Sequence, residues 1–264
     1  MNIFKVLASG KKSFQEETAS AILMWFLHPS MGHGLGYSFL SKFISEISIS
    51  LNSSELLALA EKLKPRMRGE YGSQETRWFN LEENVDNAFI DIIIGIDDWI
   101  IAIENKIYPG SISMGQLSRE YEGIKVKKEF CDKKILMVYL VPVEEDSEMH
   151  EGKIEKEFNN FLVSESHFKI LVTWQRNKID NAPSISELVS EILAEESKGM
   201  IDPISEYTRH TLKALISFIS NNFSGYDYER INRRSGLNSL TEETLSVDKL
   251  RNIKLPDMLA SRVG

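Results

Sequence analysis

The chain has 264 residues, 42% of them hydrophobic, and a formal net charge of −8. That is enough for one sizeable core with a helical appendage, and the acidity argues against tight nonspecific binding of nucleic acid by the whole surface, though not against a local basic face. No apolar run is long enough for a membrane span, the opening MNIFKVLASGKKSFQEE lacks a signal-peptide core, and the single Cys131 excludes an intrachain disulfide framework and a CxxC zinc site, which fits a reducing cytoplasm.

Residues 13 to 28, SFQEETASAILMWFLH, read as the first helix. Ser13 is a candidate N-cap, and Glu16 three residues later completes a capping box. Ala19, Ile22, Leu23, Phe26 and Leu27 form its apolar stripe, with Glu16 at the edge in line with Ser20 and Leu23. Pro29, Gly32, Gly34 and Gly36 mark a turn into a second helix. His28 and His33 fall in this turn without a third partner, which makes them structural rather than metal ligands. Residues 53 to 64, SSELLALAEKLK, form a short amphipathic helix capped by Ser53 or Ser54 and stopped by Pro65. The basic residues Lys62, Lys64, Arg66 and Arg68 read as a solvated helix end more readily than as a phosphate contact.

Arg77 to Leu81 suggest a first strand, with a polar loop from Glu82 to Asn87. The next stretch, AFIDIIIGIDDWIIAIENKI from Ala88 to Ile107, is the most apolar in the chain and reads as two buried strands joined by a hairpin with Asp97 and Asp98 at its tip. Alternation places Ile90, Ile92, Ile94 and Ile96 on one face of the first strand and Phe89, Asp91, Ile93 and Gly95 on the other. On the second strand Ile100, Ala102, Glu104 and Lys106 share a face, opposite Trp99, Ile101, Ile103, Asn105 and Ile107. If Ile96 pairs with Trp99, then Asp91 lies directly opposite Glu104, with β-carbons roughly 4.5–5.5 Å apart. Two facing carboxylates repel, so either one takes up a proton or a cation sits between them. A hard divalent ion, Mg²⁺ or Mn²⁺, suits Asp91, Glu104, the backbone carbonyl of Asn105 and water. Lys106 lies on the same face as Glu104 and can reach that cluster. A purely structural Asp–Glu–Lys triad is the bland alternative, and a buried triad is a poor source of stability.

After Lys106, Tyr108-Pro109-Gly110-Ser111 is a turn, and Ser113 to about Phe130 reads as a crossover helix. Gln116 shares a face there with Arg119 and Glu120 but not with Tyr121. Arg119 is a candidate phosphate contact, and Lys125, Lys127 and Lys128 extend the basic character. Lys134 to Val143 and Phe168 to Trp174 are further strands. Glu144 to Asn160 is a charged loop with a short helix. Residues 184 to 198 and 203 to 223 are helices, the second opened by Pro203. From residue 224 to 264 the chain is polar and, through Arg230, Arg233 and Arg234, locally basic.

Asp91 followed by Glu104-Asn105-Lys106 resembles the signature of the PD-(D/E)xK nuclease superfamily, with Ile90-Asp91 in place of the usual Pro-Asp. A branch of that superfamily widespread in bacteria also has a WLLDP-like helix end, an HGxG-like turn and an FLxxFL-like helix. Trp25 to Pro29, His33-Gly34-Leu35-Gly36 and Phe39 to Ile44 match these, with His28 replacing the usual Asp. The resemblance implies an α/β, three-layer restriction-endonuclease-like fold, a mixed central sheet flanked by helices, with extra C-terminal helices. The nuclease-like domain would span residues 1–223, with its core at about 13–180 and C-terminal helices at 184–223, followed by the tail of 224–264.

The resemblance further implies an accessory acid on the first helix, placed at Glu16 with Glu17 as fallback, and a site glutamine at Gln116. Its tyrosine usually follows that glutamine by four residues, whereas Tyr121 follows by five. The implied activity is Mg²⁺- or Mn²⁺-dependent hydrolysis of phosphodiester bonds, in DNA by analogy. Asp91, Glu104, Lys106, Glu16 and Gln116 would be the catalytic residues, and Asp91, Glu104 and Asn105 the metal ligands. The expected partner is nucleic acid, with no membrane, and a homodimer is allowed. The alternative is a nuclease-fold module that binds nucleic acid or a protein without cutting.

Overall fold

The computed structural model describes residues 2–9, 14–64, 77–86, 88–143, 152–176 and 182–226. The expected cap Ser13, the stop at Pro65, and Arg66, Arg68, Arg230, Arg233 and Arg234 lie outside the described residues.

Four helices lead: α1 (Ile3–Leu7), α2 (Glu16–Leu27), α3 (Ser38–Leu51) and α4 (Ser54–Leu63). The strands β1 (Arg77–Val85), β2 (Ala88–Ile96) and β3 (Trp99–Asn105) follow as an antiparallel meander. Then come α5 (Gln116–Val126), β4 (Lys134–Val141), α6 (Lys153–Asn160), β5 (Phe168–Thr173), α7 (Ile185–Ser197) and α8 (Glu206–Ile219). β3, β4 and β5 pair in parallel, so the sheet runs β1-β2-β3-β4-β5 and is mixed. Each parallel step needs a crossover, and α5 and α6 supply them.

The sheet is buried on both faces, which is why β2 and β3 are almost continuously apolar. One face carries Ile92, Ile94, Ile96, Ile101 and Ile103 against Leu23, Phe26, Phe39, Leu188 and Leu212 of the helices around α2, α3, α7 and α8. The other carries Ile93, Ile100, Ala102 and Met137 against Leu117, Tyr121 and Ile124 of α5. The result is a three-layer α/β fold of the restriction-endonuclease-like type. Among the described residues no helix is long and apolar enough to cross a membrane.

Several details differ from expectation. Glu82 to Val85 continue β1 instead of forming a loop. Glu82 takes a left-handed φ of 51° opposite Asp91, and pairing skips that position. The kink rotates the far end of the hairpin, so Ile90 and Val85 pack on the α5 side and not with Ile92. The N-cap of α2 is Gln15, with no side-chain cap bond. His33 is fully buried. Its Nδ1 accepts the Leu35 N–H at 2.9 Å and its Nε2 lies 3.0 Å from the His28 carbonyl, so both ring nitrogens are occupied within the turn. Burial pushes its pKa down, which favours the neutral ring this pairing needs. Ser224 to Tyr226, the start of the expected tail, meet the N-terminus: the Asn2 N–H donates to the Tyr226 hydroxyl at 2.9 Å, and the Tyr226 N–H donates to Ser9 Oγ at 2.6 Å.

Candidate active site

The hairpin between β2 and β3 has the expected tip and register. Asp97 takes a φ of 51°, and the ladder pairs Ile96 with Trp99 through Ile92 with Ile103. It stops one step short of Asp91 and Glu104. At that point the kink opposite Glu82 turns Asp91 out of the ladder, and its Oδ2 accepts the Asn105 N–H at 2.7 Å. Asp91 is also close enough to the Glu104 side chain for the two carboxyls to influence each other's ionisation. The two carboxyls therefore meet at the open end of the hairpin, although not as a ladder pair.

Lys106 lies just past β3, where its N–H donates to the Leu140 carbonyl at 2.7 Å and prolongs the parallel pairing. Period two is thereby kept, so Lys106 stays on Glu104's face. Its Nζ donates to Glu104 Oε1 at 2.5 Å and stands 3.7 Å from Glu16 Oε2. Glu16, in the first turn of α2, accepts the Ile107 N–H at 3.1 Å and the Ser111 hydroxyl at 2.5 Å through Oε1. Its carboxylate reaches across to the loop after β3, while Glu17 is exposed. From the other layer, Gln116 Nε2 donates to Glu104 Oε1 at 2.6 Å. Asp91, Glu104, Lys106, Glu16 and Gln116, drawn from four separate elements and a loop, thus form one connected cluster.

The sequence reading did not assign Glu120. This residue is only 1% exposed, on α5 one turn beyond Gln116. Its carboxyl interacts electrostatically with Gln116 and Glu104, and its Oε2 has no hydrogen-bond partner among the described residues. The signal was its place on the Gln116 face, four residues on. Tyr121, by contrast, packs in the α5 core, with its hydroxyl 3.0 Å from Ser164 Oγ and 2.8 Å from His167 Nδ1. Arg119 is held at the exposed start of the helix, where Nη1 donates to the Met114 carbonyl at 3.4 Å.

α5 is held in place from outside. Its N-cap, Gly115, offers no side-chain acceptor. Glu157 of α6 takes that role, accepting the Gly115 N–H at 2.6 Å and the Leu117 N–H at 3.0 Å. Gly123 lets the helix close onto β1, since a β-carbon there would come 2.3 Å from the Val85 carbonyl oxygen.

Electrostatically the cluster is a set of acids kept out of water around one ammonium. Burial, then the charges of Glu120 and Asp91, push Glu104 well above the ordinary carboxyl range, against the pull of Lys106. Burial likewise raises Asp91, with the Asn105 N–H opposing, and raises Glu120 to about 8. Burial alone would lower Lys106. The charges of Glu104, Glu16 and Asp91 outweigh it, so the ammonium stays protonated. Among the described residues no three His, Cys, Asp or Glu side chains stand together at cation-holding spacing. The donor chemistry still suits a hard cation: carboxylate oxygens, with one buried Glu120 oxygen lacking any partner.

A mixed sheet with helices on both sides, whose central hairpin ends in Asp91 and Glu104-Asn105-Lys106, places this chain among α/β proteins of restriction-endonuclease-like fold. The chain belongs to the PD-(D/E)XK nuclease superfamily, whose profile matches residues 1–214. No curated protein and no solved structure matches it.

Proposed function

We propose that the protein hydrolyses phosphodiester bonds, DNA being the favoured substrate, with a divalent cation, Mg²⁺ or Mn²⁺, held by Asp91, Glu104 and the Asn105 carbonyl. Such an ion lowers the pKa of a bound water and polarises phosphate oxygens. Lys106, kept charged beside Glu104, neutralises charge that develops on the phosphate and orients the attacking water. Gln116 fixes the Glu104 carboxyl through its amide, and Glu16 holds the loop after β3 and the outer side of the Lys106 ammonium.

The observation that carries this reading is the convergence of Asp91, Glu104 and Lys106 at one end of the central hairpin. An ion cluster there contributes little to stability and gives the chemistry its parts. A second reading, a module that binds without cutting, is supported by the Glu104 Oε1 atom, which Lys106 and Gln116 already occupy. The test is cleavage of plasmid, linear single strands and RNA with Mg²⁺ or Mn²⁺, comparing the intact protein with Lys106→Ala. Metal-dependent cutting that the variant lacks is expected. Equal cutting by both proteins would overturn the catalytic assignment.

A further inference from the structure

The packing of α5 is complete without Glu120. Leu117, Tyr121 and Ile124 form the stripe that fills the layer beneath the sheet, and Glu157 caps the helix start. Glu120 sits beside this stripe, on the turn after Gln116, facing the sheet end where Glu104, Asp91 and Lys106 meet. A carboxyl oxygen with no partner among the described residues, at a position this deeply buried, is costly to keep. Leucine or glutamine would fill the same volume at less cost. Mg²⁺ and Mn²⁺ take oxygen donors, and a carboxylate oxygen from the covering layer is of the same kind as those of Asp91 and Glu104.

We propose that Glu120 is a third carboxylate of the cation site: the three acids do not stand at cation-holding spacing in this structure, and a cation entering beside Glu104 would draw in the Glu120 oxygen that has no partner among the described residues. This assignment rests on the metal-dependent reading above and extends it to a residue on the crossover helix. The site then draws acids from both hairpin strands and from the layer that covers them, so α5 takes part in loading the ion as well as in holding Gln116.

Isothermal titration of Mn²⁺ into the full chain, in alkaline buffer, tests this on four proteins: unaltered, Glu104→Gln, Glu120→Gln and Glu120→Leu. The unaltered protein should bind Mn²⁺, and both Glu120 variants should bind it about ten- to a hundredfold more weakly. Circular dichroism and thermal midpoints of the metal-free proteins establish that each variant is folded, and the leucine variant serves should the glutamine one not fold. Unchanged Mn²⁺ affinity in a folded Glu120 variant, with affinity lost in Glu104→Gln, overturns the Glu120 assignment and leaves the parent reading standing. No Mn²⁺ binding by the unaltered protein removes both.

Discussion

Glu104 and Asn105 are neighbours in β3, and their side chains enter opposite layers where they meet very different polar surroundings. Asn105 is fully buried and fully used. Its Nδ2 donates to the Glu16 carbonyl at 3.3 Å and to Ser20 Oγ at 3.0 Å, and its Oδ1 accepts the Trp174 indole N–H at 2.9 Å. These neutral bonds tie α2, β3 and the end of β5 together. Glu104 lies among charges that are incompletely matched, beside a Glu120 oxygen that has no hydrogen-bond partner among the described residues. Closed polar networks rigidify a fold, whereas open ones cost stability and persist where chemistry needs them. The adjacent residues therefore separate scaffold from site.

The largest break in this contrast should come from the charged side. Lys106→Ala should lower cleavage by about three orders of magnitude, roughly 4 kcal/mol in transition-state stabilisation, with the fold retained; initial rates on plasmid, with circular dichroism, check this.

A pH titration of the metal-free protein should give the next largest effect. Asp91, Glu104 and Glu120 all have folded-state pKa values above their unfolded ones. The native state thus holds protons that the unfolded chain releases, and stability falls as pH rises from the unfolded carboxyl value towards about 8, where Glu120 titrates. Lys106 is raised instead, so its contribution is lost only at more alkaline pH. Urea melts across that window should show a loss of ~2–4 kcal/mol, and saturating Mn²⁺ should reduce it. Stability that is flat or rises over the window would contradict the buried-acid description.

Asn105→Ala should cost ~2–3 kcal/mol, since it strands the Trp174 indole, removes the bond that Ser20 Oγ accepts and leaves a void. Here the urea midpoint moves first, and activity falls only through the loosened α2. The smallest effect belongs to Tyr121→Phe. That change removes bonds to Ser164 and His167 on the far side of α5, and should cost about 1 kcal/mol while leaving cleavage within about threefold. A large loss of activity there would return Tyr121 to the site.

Much of this arrangement could be read from the chain. Strict alternation and a tight turn fix a hairpin register, so the approach of Asp91 to Glu104 and the place of Lys106 follow from spacing. The left-handed Glu82 could not be read, because it lies on the partner strand in a stretch whose polarity suggests a loop. That one residue moves Ile90 to the other layer and takes Asp91 out of the ladder. Glu16 was found as an acid near the site, but its capping-box reading assumed local bonds, whereas its carboxylate is used by residues some ninety positions away. Glu120 shares the helical face of Gln116, which spacing shows, whereas the resembled motif points to a tyrosine on this helix and not to an acid. Its significance depends on burial and on an unmatched oxygen, neither of which is visible in a sequence.

The Glu157 cap carries one more implication. The Glu157 carboxylate bonds none of Asp91, Glu104 and Lys106, yet it anchors the start of the helix that bears Gln116 and Glu120. The peripheral crossover between β4 and β5 is therefore not an interchangeable surface ornament. Grafting it from a distant relative, or trimming it, would release α5 from its mooring and blur the site from behind while every chemical group remained in the chain.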